Sequence, residues 1–441
     1  LTYRQLLAAN ADFRRLWTGQ VISEIGDWFN NIAVLALTIQ LAGVGREGQA
    51  VAFYAIARHL PLFLFGPLAG VVVDRVNRRR VMIVADVSRA VLALGFLLAE
   101  RMSTLPVVYI VGASLFAVSS FFNAAKRASI PNLVHGTSEL LTANSLSAST
   151  TAATIAVGSA LGGLLSTFIG HNIVFILNAT TFLVSAEMIR RIRTQTSGQW
   201  SVVGGQIKKR TDHRPLTTDH FFRRAFFDFR EGLRYVRSKN VLSAIFVVAA
   251  GWGLGNGVAR ALYSIFGARL GVAAAQGFVA RPTDFGISVL FIAMGLGGVT
   301  GAPIARRFNS AAGNTLGSRM GRSMIFDGCG LVLFSLMPTL WGAALVLVAR
   351  EMNFAIWWTA QQTIIMSRTD DAYAGRVFAS YETLTTLMMV GSMLVSGVAA
   401  DRFGIRPVAT TGGVMIALSG IWWFVLRRRR NADARIAGET V

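Results

Sequence analysis

Long apolar runs alternate with short polar breaks from one end of the chain to the other. The runs fall near residues 16–42, 50–73, 81–99, 105–125, 142–169, 172–189, 241–266, 284–305, 323–340, 341–366, 378–400 and 407–426. Each is close to the ~20 residues that a helix needs to cross the hydrocarbon layer of a bilayer. The pattern predicts an all-α polytopic membrane protein with twelve transmembrane helices. Between Arg190 and Asn240 the sequence turns polar and basic. That break predicts two six-helix bundles, over residues 1–193 and 241–441, joined by a cytoplasmic linker over 194–240.

The linker has two parts. Residues 194–220 are rich in Ser, Thr, Gly and charge, which predicts a flexible stretch. From 221 to 238, Phe222, Ala225, Phe226, Phe229, Leu233 and Val236 repeat at helical spacing, with Arg223, Arg230, Arg234 and Arg237 on another face. That spacing predicts an interfacial helix lying along the inner membrane surface and tying the halves together.

Composition excludes an ordinary soluble globule, since 53% of the 441 residues are hydrophobic and only 15% charged. The net charge of +21 taken alone would suit a nucleic-acid binder. Its distribution argues otherwise, because most of the Lys and Arg fall in alternate breaks and tails, which places those breaks and both termini in the cytoplasm. The expected location is a bacterial-type inner membrane, with Arg427 to Arg430 stopping the last helix near anionic lipid. The first run is interrupted by Glu24 and Asp27 and lacks a small-residue cleavage site, so it is expected to stay in the mature protein. Cys329 is the single cysteine, and its apolar surroundings read as packing.

No enzyme chemistry is written in the chain. Lys126, Lys208, Lys209 and Lys239 all lack the context of a phosphate-binding loop, and no zinc, cysteine-cluster or nucleophile-elbow motif occurs. No metal or cofactor is expected. The five histidines are scattered and read as loop or boundary residues.

Polar residues inside the apolar runs are the candidates for function, because an ionised group at membrane depth must pair, line a wet cavity or bind a proton. Gln20, Glu24, Asp27, Asn31 and Thr38 share one stripe of the first run. Asp27 is the first candidate for proton coupling, followed by Glu24 and Glu382. Asp86 and Arg89 lie three residues apart and predict a local ion pair. Arg58 and Arg260 lie in outer halves of their runs, where they can snorkel. Arg350 is deep in the tenth run, with Asn353, Trp357 and Gln361 on much the same face, and its expected partners are Glu24, Asp27 and Glu382. Glu351 points about 100° away around the helix. Trp252, Asn256 and Arg260 form a second stripe, so these residues with Asn31, Arg350, Asn353, Trp357 and Gln361 are the expected cavity wall.

The tract Gly66-Pro67-Leu68-Ala69-Gly70-Val71-Val72-Val73-Asp74-Arg75-Val76-Asn77-Arg78-Arg79-Arg80 joins the second and third runs. It resembles Gly-x-x-x-Asp-Arg-x-Gly-Arg-Arg, the loop signature of the major facilitator superfamily of secondary transporters. Asn77 stands at the second glycine, a mild change if the backbone there is left-handed. A partial second copy, Gly301-Ala302-Pro303-Ile304-Ala305-Arg306-Arg307, has Ala305 in place of the acid. Gly158-Ser159-Ala160-Leu161-Gly162-Gly163 resembles the antiporter signature Gly-Pro-x-x-Gly-Gly, with Ser159 at the proline. Physically, Gly158, Gly162 and Gly163 let helices approach closely. Phe122-Asn123-Ala124-Ala125, Ile130-Pro131-Asn132-Leu133-Val134 and Ala143-Asn144-Ser145-Leu146 resemble the branch of macrolide-efflux pumps and enterobactin exporters.

The resemblance implies the major facilitator fold and a gating motif of Gly70, Asp74, Arg75, Arg78 and Arg79, in which Asp74 caps or contacts a helix end of the opposite half when the inside is closed and the arginines complete the inner gate. The expected function is export of an amphipathic small molecule, coupled to proton antiport. The alternatives are lipid flipping, solute uptake and a non-transporting sensor. The expected partners are the substrate, protons and membrane lipids, without nucleic acid, and the protein is expected to be a monomer.

Overall fold

The computed structural model describes residues 2–134, 136–193, 200–203, 206–209, 229–310, 315–370 and 373–436. Short α1 (Tyr3–Ala9) leads into α2 (Ala11–Ala42), α3 (Glu47–Arg75), α4 (Arg78–Met102), α5 (Leu105–Leu133), α6 (Gly136–Phe168) and α7 (His171–Arg190). The linker contributes an antiparallel hairpin, β1 (Trp200–Val203) and β2 (Gln206–Lys209), and a short helix α8 over 229–238. Then come α9 (Asn240–Ala275), α10 (Pro282–Ser310), α11 (Leu316–Leu336), α12 (Leu340–Ser367), α13 (Ala374–Phe403) and α14 (Ile405–Ile436).

Among the described residues, twelve helices reach 20 residues or more, six on each side of the linker. Nine of them are long and apolar enough to cross a membrane, and α3 makes a tenth as a pair bent by 48°. The bend falls between Gly66 and Leu68. The other two, α2 and α11, are diluted by Asp27, Asn30 and Asn31 and by Arg319, Arg322 and Asp327 respectively. Asp27, Asn31 and Asp327 carry the chemistry described below.

Local signals set the helix ends. Asn10 closes α1 and opens α2, its Oδ1 accepting from Phe13 N at 2.9 Å. Asn77 opens α4 in the same way, accepting from Arg79 N and Arg80 N at 3.0 and 3.3 Å. Its φ of −57° is not left-handed, so the asparagine acts here as an N-cap and not as a glycine substitute.

Charged side chains on α4 turn inward while its outer face is apolar. On α4, Val84, Val91 and Leu98 are more than half exposed, while Asp86 and Arg89 are buried. That inversion suits lipid, which is as apolar as the side chains facing it. Cys329 is exposed and does not pack inside.

The chain divides into two compact units. Unit one comprises residues 1–44, 53–224 and 267–292, and unit two comprises 45–52, 225–266 and 293–441. In unit one, α2 packs on α6 and α7, and α4 on α5 and α7. Gly158 and Gly162 allow the first contact, because a Cβ at these positions would lie under 3 Å from Trp28 and Phe29 of α2. In unit two, α11 packs on α12 and α14.

The predicted interfacial helix over 221–238 is described only from 229. Phe222, Arg223, Ala225 and Phe226 lie outside the described residues. The described part, α8, rests on protein. Tyr235 stacks on Tyr373 at 4.4 Å between ring centroids, Glu231 pairs with Arg376 at 3.2 Å, and Ser380 Oγ donates to Phe229 O at 3.3 Å. Arg230, Arg234 and Arg237 remain exposed, as expected of its polar face.

Candidate functional site

In unit one the polar stripe of α2 meets charged residues from three neighbouring helices, α3, α4 and α5, and threonines of α6. Glu24 lies 3.3 Å from Lys126 Nζ, takes a bond from Gln20 Nε2 at 2.8 Å, and accepts from Thr151 and Thr154 at 3.2 and 3.3 Å. One turn on, Asp27 faces Arg89 at 3.8 Å and keeps 36% of its side chain exposed. Arg89 is held more tightly elsewhere. It bonds Asp86 and is sandwiched between the rings of Phe122 and Phe182, at 4.1 and 4.4 Å. Arg58 does not snorkel. It donates to Asn31 Oδ1 and lies over Trp28 and Phe116, so the deep amide and the arginine satisfy each other.

In unit two the centre is Arg350, whose side chain is only 2% exposed. Its Nε lies 3.0 Å from Asp327, its Nη1 lies 3.7 Å from Glu351 and donates to the Tyr263 hydroxyl, and its Nη2 reaches Asn256 Oδ1 at 3.4 Å. The expected partners Glu24, Asp27 and Glu382 give way to Asp327, on the preceding helix α11 and buried completely. Glu351 also reaches it, because the arginine's length offsets the angle between neighbouring residues on a helix. Beside this pair, Trp252 stacks on Phe354 at 5.8 Å and meets Trp357 edge-on at 4.9 Å, with Trp358 at 6.2 Å.

Trp357 and Gln361 are fully buried, and Gln361 accepts from Tyr381 at 3.1 Å. Asn353 donates to Ser323 O at 2.8 Å. Arg350, Trp357 and Gln361 therefore sit in the packed interior of unit two, Asn353 lines a cleft beside α10 and α11, and Phe354 and Trp358 are half-buried. Arg260 and Glu382 are exposed.

Two arrangements escaped the sequence reading. His171, at the start of α7, is buried, with Nε2 2.8 Å from Asp284 and Nδ1 3.8 Å from Glu100. Ser166 Oγ also donates to Asp284, and Arg281 Nη1 donates to Ser166 O at 3.1 Å. In unit two, Asp401 near the end of α13 accepts from Gly48 N and Gln49 N, at 2.7 and 2.8 Å, and so caps the first turn of α3.

Comparison with known proteins places these geometries in a family. The family described as transmembrane secretion effector, within the major facilitator superfamily, matches residues 7–438. The chain belongs to this family. Such proteins are transporters and not enzymes. Among its relatives, the putative bacilysin exporter BacE of Bacillus subtilis (strain 168) is 25% identical over 389 residues, with 86% of each chain covered. Macrolide efflux protein A of Streptococcus pyogenes is 22% identical over 428 residues, covering 96% of this chain and 98% of that one. Among solved structures, a peptide transporter POT in complex with sulfate has a TM-score of 0.67 at 12% identity, covering 97% and 98%. A bacterial homologue of the human lysosomal transporter Spinster has a TM-score of 0.64 at 13% identity, covering 94% and 97%. These two establish the fold alone.

In this secretion effector the loop motif ties helix ends inside unit one. Arg78 is buried and donates to Ala128 O at 2.6 Å, and Arg79 donates to Arg190 O, which joins the start of α4 to α5 and α7. Asp74 and Arg75 are exposed at the end of α3, and Gly70 has open space where a Cβ would stand. Gly163 differs from Gly158 and Gly162 in facing Ser288 of α10.

Proposed function

We propose that the chain exports amphipathic small molecules across the bacterial inner membrane, with both termini in the cytoplasm, by alternating access coupled to inward proton movement. The observation that carries the coupling is Asp27. It stands halfway along α2 with an accessible carboxylate and one loose partner, Arg89 at 3.8 Å, whereas Asp86 beside it is fully buried and bonded. An acid in that situation can lose its partner and take a proton as its surroundings change. The two relatives named as exporters support the direction, and the half-buried aromatics Phe354 and Trp358 suit an amphipathic cargo. Monomeric function accords with this reading.

The test is transport in vesicles under an imposed pH gradient. Asp27→Asn should abolish uphill export while leaving substrate exchange and thermal stability in place. A variant that still concentrates substrate with unchanged pH dependence would make Asp27 structural.

A further inference from the structure

The start of α10 reads Pro282-Thr283-Asp284, a proline at the first helical position and an acid in the first turn, where the helix dipole favours it. Asp284 does more than that. It is buried in unit one, where Ser166 Oγ of α6 and His171 Nε2 of α7 both meet its Oδ2, the second at 2.8 Å. His171 Nδ1 faces Glu100 of α4 at 3.8 Å, and Arg281 Nη1 donates to Ser166 O at 3.1 Å. The Arg281 guanidinium lies over Gly170, whose missing side chain leaves it room. One turn further along α10, Ser288 is buried against α6, and a Cβ on Gly163 would collide with it.

These contacts fasten residues 267–292, the end of α9, the turn after it and the start of α10, to unit one. The same two helices continue into unit two, which holds residues 225–266 and 293–441. A helix is a rod stiffened by its own hydrogen bonds, so α9 and α10 travelling with unit two would pull their ends away from α6 and α7. What holds those ends suits a reversible parting. The buried apolar contact is small, Ala268 and Ile287 against Ile32 and Ala36 of α2, and the rest is hydrogen bonding, which water replaces at modest net cost.

We propose that Asp284, with Ser166, His171 and Arg281, is an outer latch: it keeps residues 267–292 on unit one while the transport site is closed to the outside, and releases them when the site opens there. The inference rests on the alternating-access reading with both termini in the cytoplasm, which puts the ends of α4 and α6 and the starts of α7 and α10 at the outer face. It is independent of which acid carries the proton. Asp284 and Arg281 are positioning residues here, acting through the place of a helix end and not through contact with cargo.

The experiment follows the full chain carrying Ser288→Cys in a Cys329→Ala background, in right-side-out membrane vesicles treated with a membrane-impermeant maleimide. Ser288 is 3% exposed, so the labelling rate reports how often α10 has left α6. Asp284→Asn should speed labelling about tenfold or more, the worth of one hydrogen bond to a charged group, while Asp284→Glu stays much nearer the unmodified rate. Arg281→Gln should speed it severalfold. Ser185→Cys, at a fully buried position in the α2–α7 contact, should stay unlabelled in every variant. Unchanged labelling of Ser288→Cys in Asp284→Asn overturns the latch. Ser185→Cys labelling that rises in step means that Asp284→Asn unfolds the chain, and Arg281→Gln, which keeps the acid, then decides: no acceleration there overturns it. No cargo or proton gradient enters the measurement, so a failure of proton coupling at Asp27 and a failure of the latch are read separately.

Discussion

Asp401→Asn tests how strongly one carboxylate holds the start of α3 against α13. Both carboxylate oxygens are used, one on Gly48 N at 2.7 Å and one on Gln49 N at 2.8 Å. Asparagine keeps one acceptor of the same size, so the substitution removes one bond and the negative charge at the positive end of a helix. A hydrogen bond to a charged group is worth about 1.5–3 kcal/mol, and the charge–dipole part, about 0.3–1 kcal/mol, overlaps with it. The combined loss is about 1.5–3 kcal/mol, or roughly ten- to a hundredfold in the equilibrium between docked and released segments. The contact has no slack, because Gly48 and Gly397 cross backbone to backbone and a Cβ on either would meet the other's carbonyl oxygen closer than 3 Å.

The assay is a distance distribution between spin labels at Arg46 and Phe403, both exposed, in a Cys329→Ala background. The unmodified chain should show a narrow short-distance population, and Asp401→Asn should move most of it to longer distances. Gly48→Ala should act in the same direction through steric exclusion. An unchanged distribution in Asp401→Asn, with Gly48→Ala also silent, would refute the reasoning, because the cap would then contribute nothing to docking.

Three further outcomes are expected. Asp327→Asn should lower thermal stability by about 3–5 kcal/mol by removing the nearer acid from buried Arg350 and leaving Glu351 at 3.7 Å, and D327N/R350M should recover most of it; no recovery would show that the pair itself is not what matters. Gly162→Val should destabilise by about 1–3 kcal/mol or more through collision with Phe29, whereas Gly70→Ala, placed in open space, should leave the melting temperature in detergent unchanged or higher. His171→Leu should cost about 1–3 kcal/mol by leaving the Asp284 carboxylate with Ser166 alone, and adding Asp284→Asn should restore part of that loss in the same melting assay.

Ten of the twelve helices were legible because lipid demands long apolar runs, while α2 and α11 keep enough apolar length around their polar residues to be read as helices. Asp86 and Arg89 were legible for a different reason, since a helix brings residues three apart together whatever surrounds it. Arg350 shows where this stops. Its depth was readable, but Asp327 lies 23 residues earlier on another helix, and no periodicity relates the two. The available signal was an acid inside an apolar run, the kind of anomaly that exposed Asp27. His171 follows a glycine turn with φ of 106° at Gly170, so it read as a boundary residue; it is one, yet the ends of α4, α6 and α10 close over it.

The pairing of charges also ranks the acids for function. An unpaired charge near the middle of a membrane helix costs about 2.5–3.5 kcal/mol on insertion scales, so pairing inside each unit is the default solution. Asp86 and Asp327 follow it fully: each is 0% exposed and held by an arginine in its own unit. Removing either therefore damages the fold before it can reveal anything about transport. Glu24 is intermediate, 20% exposed and surrounded by Lys126, Gln20 and two threonines. Asp27 is the loosest of the four, with its arginine already committed to Asp86 and more than a third of its side chain exposed. Its neutralisation costs the least stability, so a large effect of Asp27→Asn on uphill export, with an unchanged melting temperature, isolates the coupling step from the scaffold that holds it.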